Sequence, residues 1–213
     1  MEKPYFVDEM LKQQMQLNLS GFKLQTLSGS SLRSAAVALV VTNAPSCNNE
    51  ASILLTRRQA KLNQHSGQYA LPGGKLDSNE TVFDAARREL EEELGLSLPE
   101  TNILGRLDDY PTRSGFCISP IVIWAGPNVE IKPCPDEVDA VFYIPFSQLD
   151  SNEIPIFEQG VDPMRPVLCS AFSALGHRMY APTAAVMYQF REVVIRGLET
   201  RVDHFDQPEF AWR

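Results

Sequence analysis

Glu89, Glu92 and Glu93 stand at i, i+3 and i+4 in a stretch whose apolar residues recur at helical intervals. Between Glu80 and Leu94 the residues Phe83, Ala86, Leu90 and Leu94 form one stripe that should face a core, and the three acids converge beside it. Like charges at this spacing repel by roughly 0.2–0.5 kcal/mol per pair. They also fall in the last helical turn, where the macrodipole favours cations. Gly95 is the expected C-cap. Acids gathered where helix physics disfavours them call for a counter-charge, and hard divalent cations take oxygen ligands. The plain alternative is a solvated acidic face.

The elements that would position these acids follow from patterning. Ala35 to Thr42 and Ala51 to Arg58 read as buried strands. Gln68 to Leu71 is a short strand stopped by Pro72-Gly73-Gly74, a tight turn into the helix. Ile103 to Tyr110, Phe116 to Ala125 and Val138 to Ile144 are further strands, with a turn at Pro145 to Leu149. An amphipathic helix is expected from Tyr5 to Leu17, with Phe6, Met10 and Leu11 among its apolar positions. A second helix is expected from Thr183 to Leu198, with Pro182 where a first-turn proline is tolerated. Residues 154–165 read as a surface loop, and Pro166 to Phe172 with His177 to Ala181 as a hairpin. From Glu199 onward the tail is charged and expected to be loosely held. The division expected is a helix and connector over 1–30, a main domain over 31–200 and a tail over 201–213.

Composition narrows the function classes. The chain has 213 residues and a formal net charge of −8, so non-specific nucleic-acid binding is not expected. The four cysteines form no C-x-x-C pair, which argues against structural zinc or a disulfide framework. Cys117 lies in an apolar run and reads as a buried thiol. No apolar run is long enough for a membrane span and no signal peptide is evident. The expectation is a cytoplasmic protein, monomer or homodimer, that acts on a small molecule.

Gly74, Glu80, Arg88, Glu89, Leu90, Glu92, Glu93, Gly95 and Leu96 together match every fixed position of the Nudix box. The chain therefore resembles the Nudix hydrolases. The resemblance implies an α/β fold, an α/β/α sandwich with a mixed sheet and a catalytic loop-helix-loop. It also implies Mg²⁺- or Mn²⁺-dependent hydrolysis of a nucleoside diphosphate linked to another moiety. Glu89, Glu92, Glu93 and the Gly73 carbonyl would be the metal ligands, and Arg88, paired with Glu80, would orient the helix. The general base would be Glu92, Glu93 or Glu137, which lies in the Pro135-Asp136-Glu137 turn.

Residues 54–74, LLTRRQAKLNQHSGQYALPGG, resemble the coenzyme A pyrophosphatase branch of that family, as does Tyr110 to Gly115. Arg57, Arg58, Lys61 and Arg113 are then the candidate substrate contacts. Asn63 departs from that branch, where a second arginine is expected, which removes a cation that could pair with a phosphate. Coenzyme A or a derivative is the first candidate substrate. ADP-ribose or NADH is the alternative, and a non-catalytic nucleotide-binding module is a further one.

Overall fold

The computed structural model describes residues 4–27, 29–45, 49–59, 67–160, 162 and 164–208. Eight strands form one mixed sheet. Its backbone is the order β3 (Tyr69–Ala70), β2 (Glu50–Arg58), β1 (Arg33–Ala44), β7 (Phe116–Gly126) and β5 (Ile103–Arg106). β4 (Gly73–Lys75) pairs with β1, β6 (Tyr110–Pro111) with β7, and β8 (Val138–Pro145) with β2. β1 and β7 run parallel, and the remaining pairs are antiparallel.

Alternation along the strands divides the core into two layers. Ala36, Ala38 and Val40 of β1, Leu54 of β2 and Ile121 and Ile123 of β7 face helix α2 (Val82–Leu94). Leu39, Val41, Ile53, Leu55, Val122 and Trp124 face the other way. They pack there with α1 (Glu9–Gly21), α4 (Thr183–Phe190) and a π-helical turn at Arg191–Ile195 that extends α4. The result is the α/β sandwich with a mixed sheet that the sequence implies. Small side chains at Ala36, Ala38, Ala85 and Ala86, all without exposed surface, let α2 lie close on the sheet. Leu90 and Leu94, equally buried, contribute about 1.5–3 kcal/mol each.

Three expectations need correction. The first helix begins at Glu9, with Asp8 as N-cap, and it buries Met15 and Leu19, whereas Phe6 and Met10 are exposed. Residues 154–165 are not wholly a surface loop: Ile154 is buried, and β9 (Ile156–Glu158) joins β10 (Val167–Ser170) and β11 (Met179–Tyr180) in a small antiparallel sheet. The tail is not loose through residue 207. Val202, Phe205, Asp206 and Gln207 are buried, and the Asp206 N–H donates to the Pro166 carbonyl. The hairpin and the buried Cys117 are as expected. The turn after β8 is a short helix, α3 (Phe146–Leu149).

Candidate active site

Helix α2 is held at both ends. The Thr81 side chain accepts from the Asp84 N–H at the start. At the far end Gly95 adopts φ 63°, and its N–H bonds back to Glu91 and Leu90. This left-handed cap ends the helix one residue after Leu94, so the last turn carries Glu89, Glu92 and Glu93.

Arg88 organises the acids around it. Its Nε donates to Glu80 Oε1 at 2.9 Å and its Nη2 to Glu80 Oε2 at 3.1 Å, a bidentate pair. Nη1 donates to Glu89 Oε1 and to Glu92 Oε2, both at 2.9 Å, and Nη2 also donates to the Lys75 carbonyl at 3.0 Å. One guanidinium therefore ties the β4 turn to three carboxylates. The Arg88 hydrogen bond holds the Glu80 carboxyl below its ordinary range.

A cavity of about 560 Å³ lies between β4, the C-terminal turn of α2 and the start of α4. Arg58, Lys75, Arg88, Glu89, Glu93 and Glu137 give it one charged end. Glu93 is only 2% exposed. Its Oε1 meets Arg58 Nη1 at 3.4 Å, while Oε2 has no hydrogen-bond partner among the described residues. Burial pushes the Glu93 carboxyl up to about 8, against the pull of Arg58. Burial also raises Glu89, with Arg88 opposing it, and the charge of Glu137 raises both. Glycine is required at two positions here for space. A Cβ on Gly73 would come within 2.3 Å of the Ala36 carbonyl oxygen, and a Cβ on Gly74 within 2.3 Å of Glu89 Oε1.

The residues singled out by sequence are only partly brought together. Glu89, Glu93, Glu137, Arg58, Arg88 and Gly73 line the cavity, and Glu92, exposed and held by Arg88, does not. Arg57 does not line it either, and pairs with Asp139 at 2.6 Å. Arg113 also lies off the lining and pairs with Asp206 at 2.6 Å. Lys61 and Asn63 lie outside the described residues.

Other lining residues went unmarked. Lys75, next to Gly74, places its ammonium 5.7 Å from the Phe116 ring centroid. Phe116, Thr183, Val186 and Gln207 line the cavity as well. The adjacency of Lys75 to the glycines was the one available signal. The others reach the cavity by long-range packing.

The donor set suits a hard divalent cation. Every acidic group on the lining offers oxygen, and the buried Glu93 Oε2, unpartnered among the described residues, is an acceptor site that a cation would satisfy. Among the described residues, no three His, Cys, Asp or Glu side chains stand as a ready-made metal-holding group. That is compatible with Mg²⁺, which uses one or two carboxylates and completes its shell with water and substrate oxygens.

Comparison with known proteins settles the kinship. The NUDIX domain model matches residues 32–166. The chain belongs to the Nudix family. It is 35% identical over 117 residues to the uncharacterized Nudix hydrolase NudL of Photorhabdus laumondii, covering 54% of this chain and 60% of the relative. It is 36% identical over 117 residues to the NudL of Salmonella paratyphi B, covering 54% and 59%. The match thus spans about three-fifths of the length of these curated relatives. A solved MutT/nudix family protein from Enterococcus faecalis shares the fold with a TM-score of 0.54 at 16% identity, covering 78% of this chain and 63% of that one. Among the described residues of this Nudix chain, no helix is long and apolar enough to cross a membrane.

Proposed function

We propose that this Nudix chain is a metal-dependent hydrolase that cleaves the diphosphate bond of a nucleoside diphosphate linked to another moiety. The observation that carries the reading is the buried Glu93 Oε2, without a hydrogen-bond partner among the described residues, beside Glu89, Glu137 and Arg58 in a cavity of substrate size. Glu89, Glu93 and the Gly73 carbonyl would hold Mg²⁺ or Mn²⁺, with Glu92 joining them once it leaves Arg88. The bound cation would neutralise phosphate oxygens and lower the pKa of the attacking water.

The chain's own residues do the rest. Arg58 and Lys75 orient the phosphates. Arg88 fixes the rotamers of Glu80 and Glu89, so that α2 presents its carboxylates without reorganisation. Glu137 or a box glutamate takes the proton from water as it attacks phosphorus in line, and the far phosphate leaves. The site's acidity suits a small anionic substrate only when a cation reverses the local field. Placement within a reducing, cytoplasmic setting is part of the same proposal.

Coenzyme A or a derivative is the first candidate substrate, from the LLTRR segment and its Arg58. ADP-ribose or NADH is the second reading. It is favoured by the ion pair that holds Arg57 on Asp139, which leaves one fewer cation for an additional 3′-phosphate.

The test is incubation of coenzyme A, dephospho-coenzyme A, ADP-ribose, NADH and nucleoside triphosphates with Mg²⁺, Mn²⁺ or EDTA, with the phosphomonoester products separated by chromatography. Metal-dependent release from a diphosphate conjugate is expected. Turnover that survives EDTA would end the metal-dependent reading, and none on any compound would end the hydrolase reading in favour of a nucleotide-binding module. Loss of the 3′-phosphate without consequence would move the substrate from coenzyme A to the second class.

A further inference from the structure

The turn that carries Glu137 is hung between two elements. On one side the Cys134 N–H donates to the Glu93 carbonyl at 2.9 Å, which fastens the turn to the C-terminal end of α2. On the other side stands Gln59, the residue that follows β2. Its N–H donates to the Glu137 carbonyl at 3.0 Å, and its side-chain Nε2 donates to the Pro135 carbonyl, also at 3.0 Å. We propose that Gln59 is a positioning residue of the active site: it holds the Pro135-Asp136-Glu137 turn so that the Glu137 carboxylate stays at the charged end and takes the proton of the attacking water. The inference rests on the hydrolase reading and on Glu137 as the base.

Three observations converge on that role. First, the pairing of β2 with β8 skips a residue beside the turn. Arg57 stands opposite Ala140 and Arg58 opposite Val138, which leaves Asp139 as the extra residue of β8. A bulge of this kind re-aims the strand end next to it. Second, the three consecutive residues facing the bulge each grip a different part of the frame. Arg57 holds Asp139 at 2.6 Å, Arg58 reaches Glu93 at 3.4 Å, and Gln59 takes the turn itself. An amide suits that third position, because the groups to be held are carbonyls; a side chain without a donor would leave the Pro135 carbonyl to water. Third, the held group lies in electrostatic reach of the two carboxylates proposed to hold the metal. The charge of Glu137 acts on both Glu89 and Glu93, and all three line the cavity. A general base must lie within hydrogen-bond reach of its proton, and a displacement of about 1 Å can cost about 10²-fold in rate. A base carried on a turn therefore needs an anchor on each side.

The test has a metal-free arm and a kinetic arm. Gln59→Met keeps the length of the side chain and the backbone N–H but removes the donor, and Gln59→Ala serves if the first variant does not fold. Hydrogen exchange is followed in EDTA. The Glu137 and Val138 N–H groups, which both donate to the Cys134 carbonyl, should exchange about two- to tenfold faster in either variant, the effect of one lost hydrogen bond. The amides from Glu89 to Leu94 should not change. In parallel, kcat and KM with Mg²⁺ are measured on wild type, Gln59→Met, Glu137→Gln and the double variant. The substrate is whichever of coenzyme A, dephospho-coenzyme A, ADP-ribose and NADH the wild-type chain cleaves fastest. Gln59→Met should lower kcat about tenfold and leave KM within about twofold. In the Glu137→Gln background the same substitution should change nothing further, because a positioning residue then has no base to position.

Unchanged exchange at Glu137 and Val138 in a folded Gln59 variant overturns the proposal. So does a loss of kcat that adds in full to that of Glu137→Gln, which is what a residue that only stabilises the fold would produce. A Glu137→Gln variant as active as wild type also overturns it, and leaves the hydrolase reading standing on the glutamates of α2. A wild-type chain that cleaves none of the four compounds ends the hydrolase reading and the catalytic role of Gln59 with it, whatever the exchange shows.

Discussion

Two parts of the cavity lining are built by opposite means. The charged end comes chiefly from one run of chain, Gly73 to Glu93, supplemented by Arg58 and Glu137. Turn, helix and caps are set there by local hydrogen bonds, and a single arginine holds three carboxylates. The other part draws on Phe116, Thr183, Val186 and Gln207, positions up to about ninety residues apart. The Gln207 Oε1 accepts the Arg113 N–H, and its Nε2 donates to the Pro111 carbonyl. Chemistry that tolerates little displacement is thus placed on a rigid local unit, and the wall that would read the substrate is placed where long-range packing can vary.

Several substitutions can break this contrast. The largest effect is expected from Glu93→Gln, which should lower kcat with Mg²⁺ by about 10²–10⁴-fold. A loss within tenfold would mean that the buried carboxylate is scaffold. Arg88→Ala should come next, because it strips a partner from Glu80, Glu89 and Glu92 together. A loss of about 1.5–3 kcal/mol in urea unfolding is expected, with a fall in kcat. Arg88→Lys should not restore it, because a point ammonium cannot reproduce the bidentate pair. Unchanged stability in both variants would show that the network holds nothing in place.

Gly73→Ala should cost about 1–3 kcal/mol, because its Cβ meets the backbone of Ala36 and Val37 rather than a movable side chain. A denaturation midpoint equal to wild type would refute that close approach.

A pH effect sharpens the same side. The Glu93 carboxyl is raised from its ordinary 4.5 to about 8, chiefly by burial. The folded chain therefore keeps this proton after the unfolded chain has lost it, and stability contributed by Glu93 falls as pH rises from about 4.5 to about 8. In EDTA, the wild-type melting temperature should drop across that window more steeply than that of Glu93→Gln. Parallel slopes would contradict the burial cost. The smallest effect belongs to the other part of the lining: Gln207→Ala should raise KM with kcat nearly unchanged. Equal falls in kcat and kcat/KM would place that wall in the chemistry.

Sequence pattern discloses the charged part of the lining better than the rest. Ala86, Leu90, Leu94 and the Gly95 cap follow from spacing along one helix, the Glu80–Arg88 pair follows from the resemblance, and each is found. The central strands were readable because their apolar runs are continuous. Glu92 is different, since spacing puts it beside Glu89 and Glu93 but cannot show that Arg88 draws it outward. Arg57 and Arg58 look alike in sequence, yet their side chains reach Asp139 and Glu93 respectively. The tail failed for a related reason: Asp206 and Phe205 look solvent-facing in a charged stretch, but Arg113 pairs with the first and Tyr188 packs on the second. Burial that depends on partners many residues away leaves no local signature.

Helix α1 packs against the turn at Arg191–Ile195, and Asn18 Nδ2 donates to the Val194 carbonyl across 176 positions of sequence. Expressed as time, that separation is a wait. At a synthesis rate of about 5–20 residues per second, roughly 9 to 35 seconds pass between the appearance of Asn18 and that of Val194. For that interval Met15 and Leu19 lack part of the surface that will cover them. Slower elongation over the second half of the message would lengthen the exposure without altering a single contact in the finished molecule.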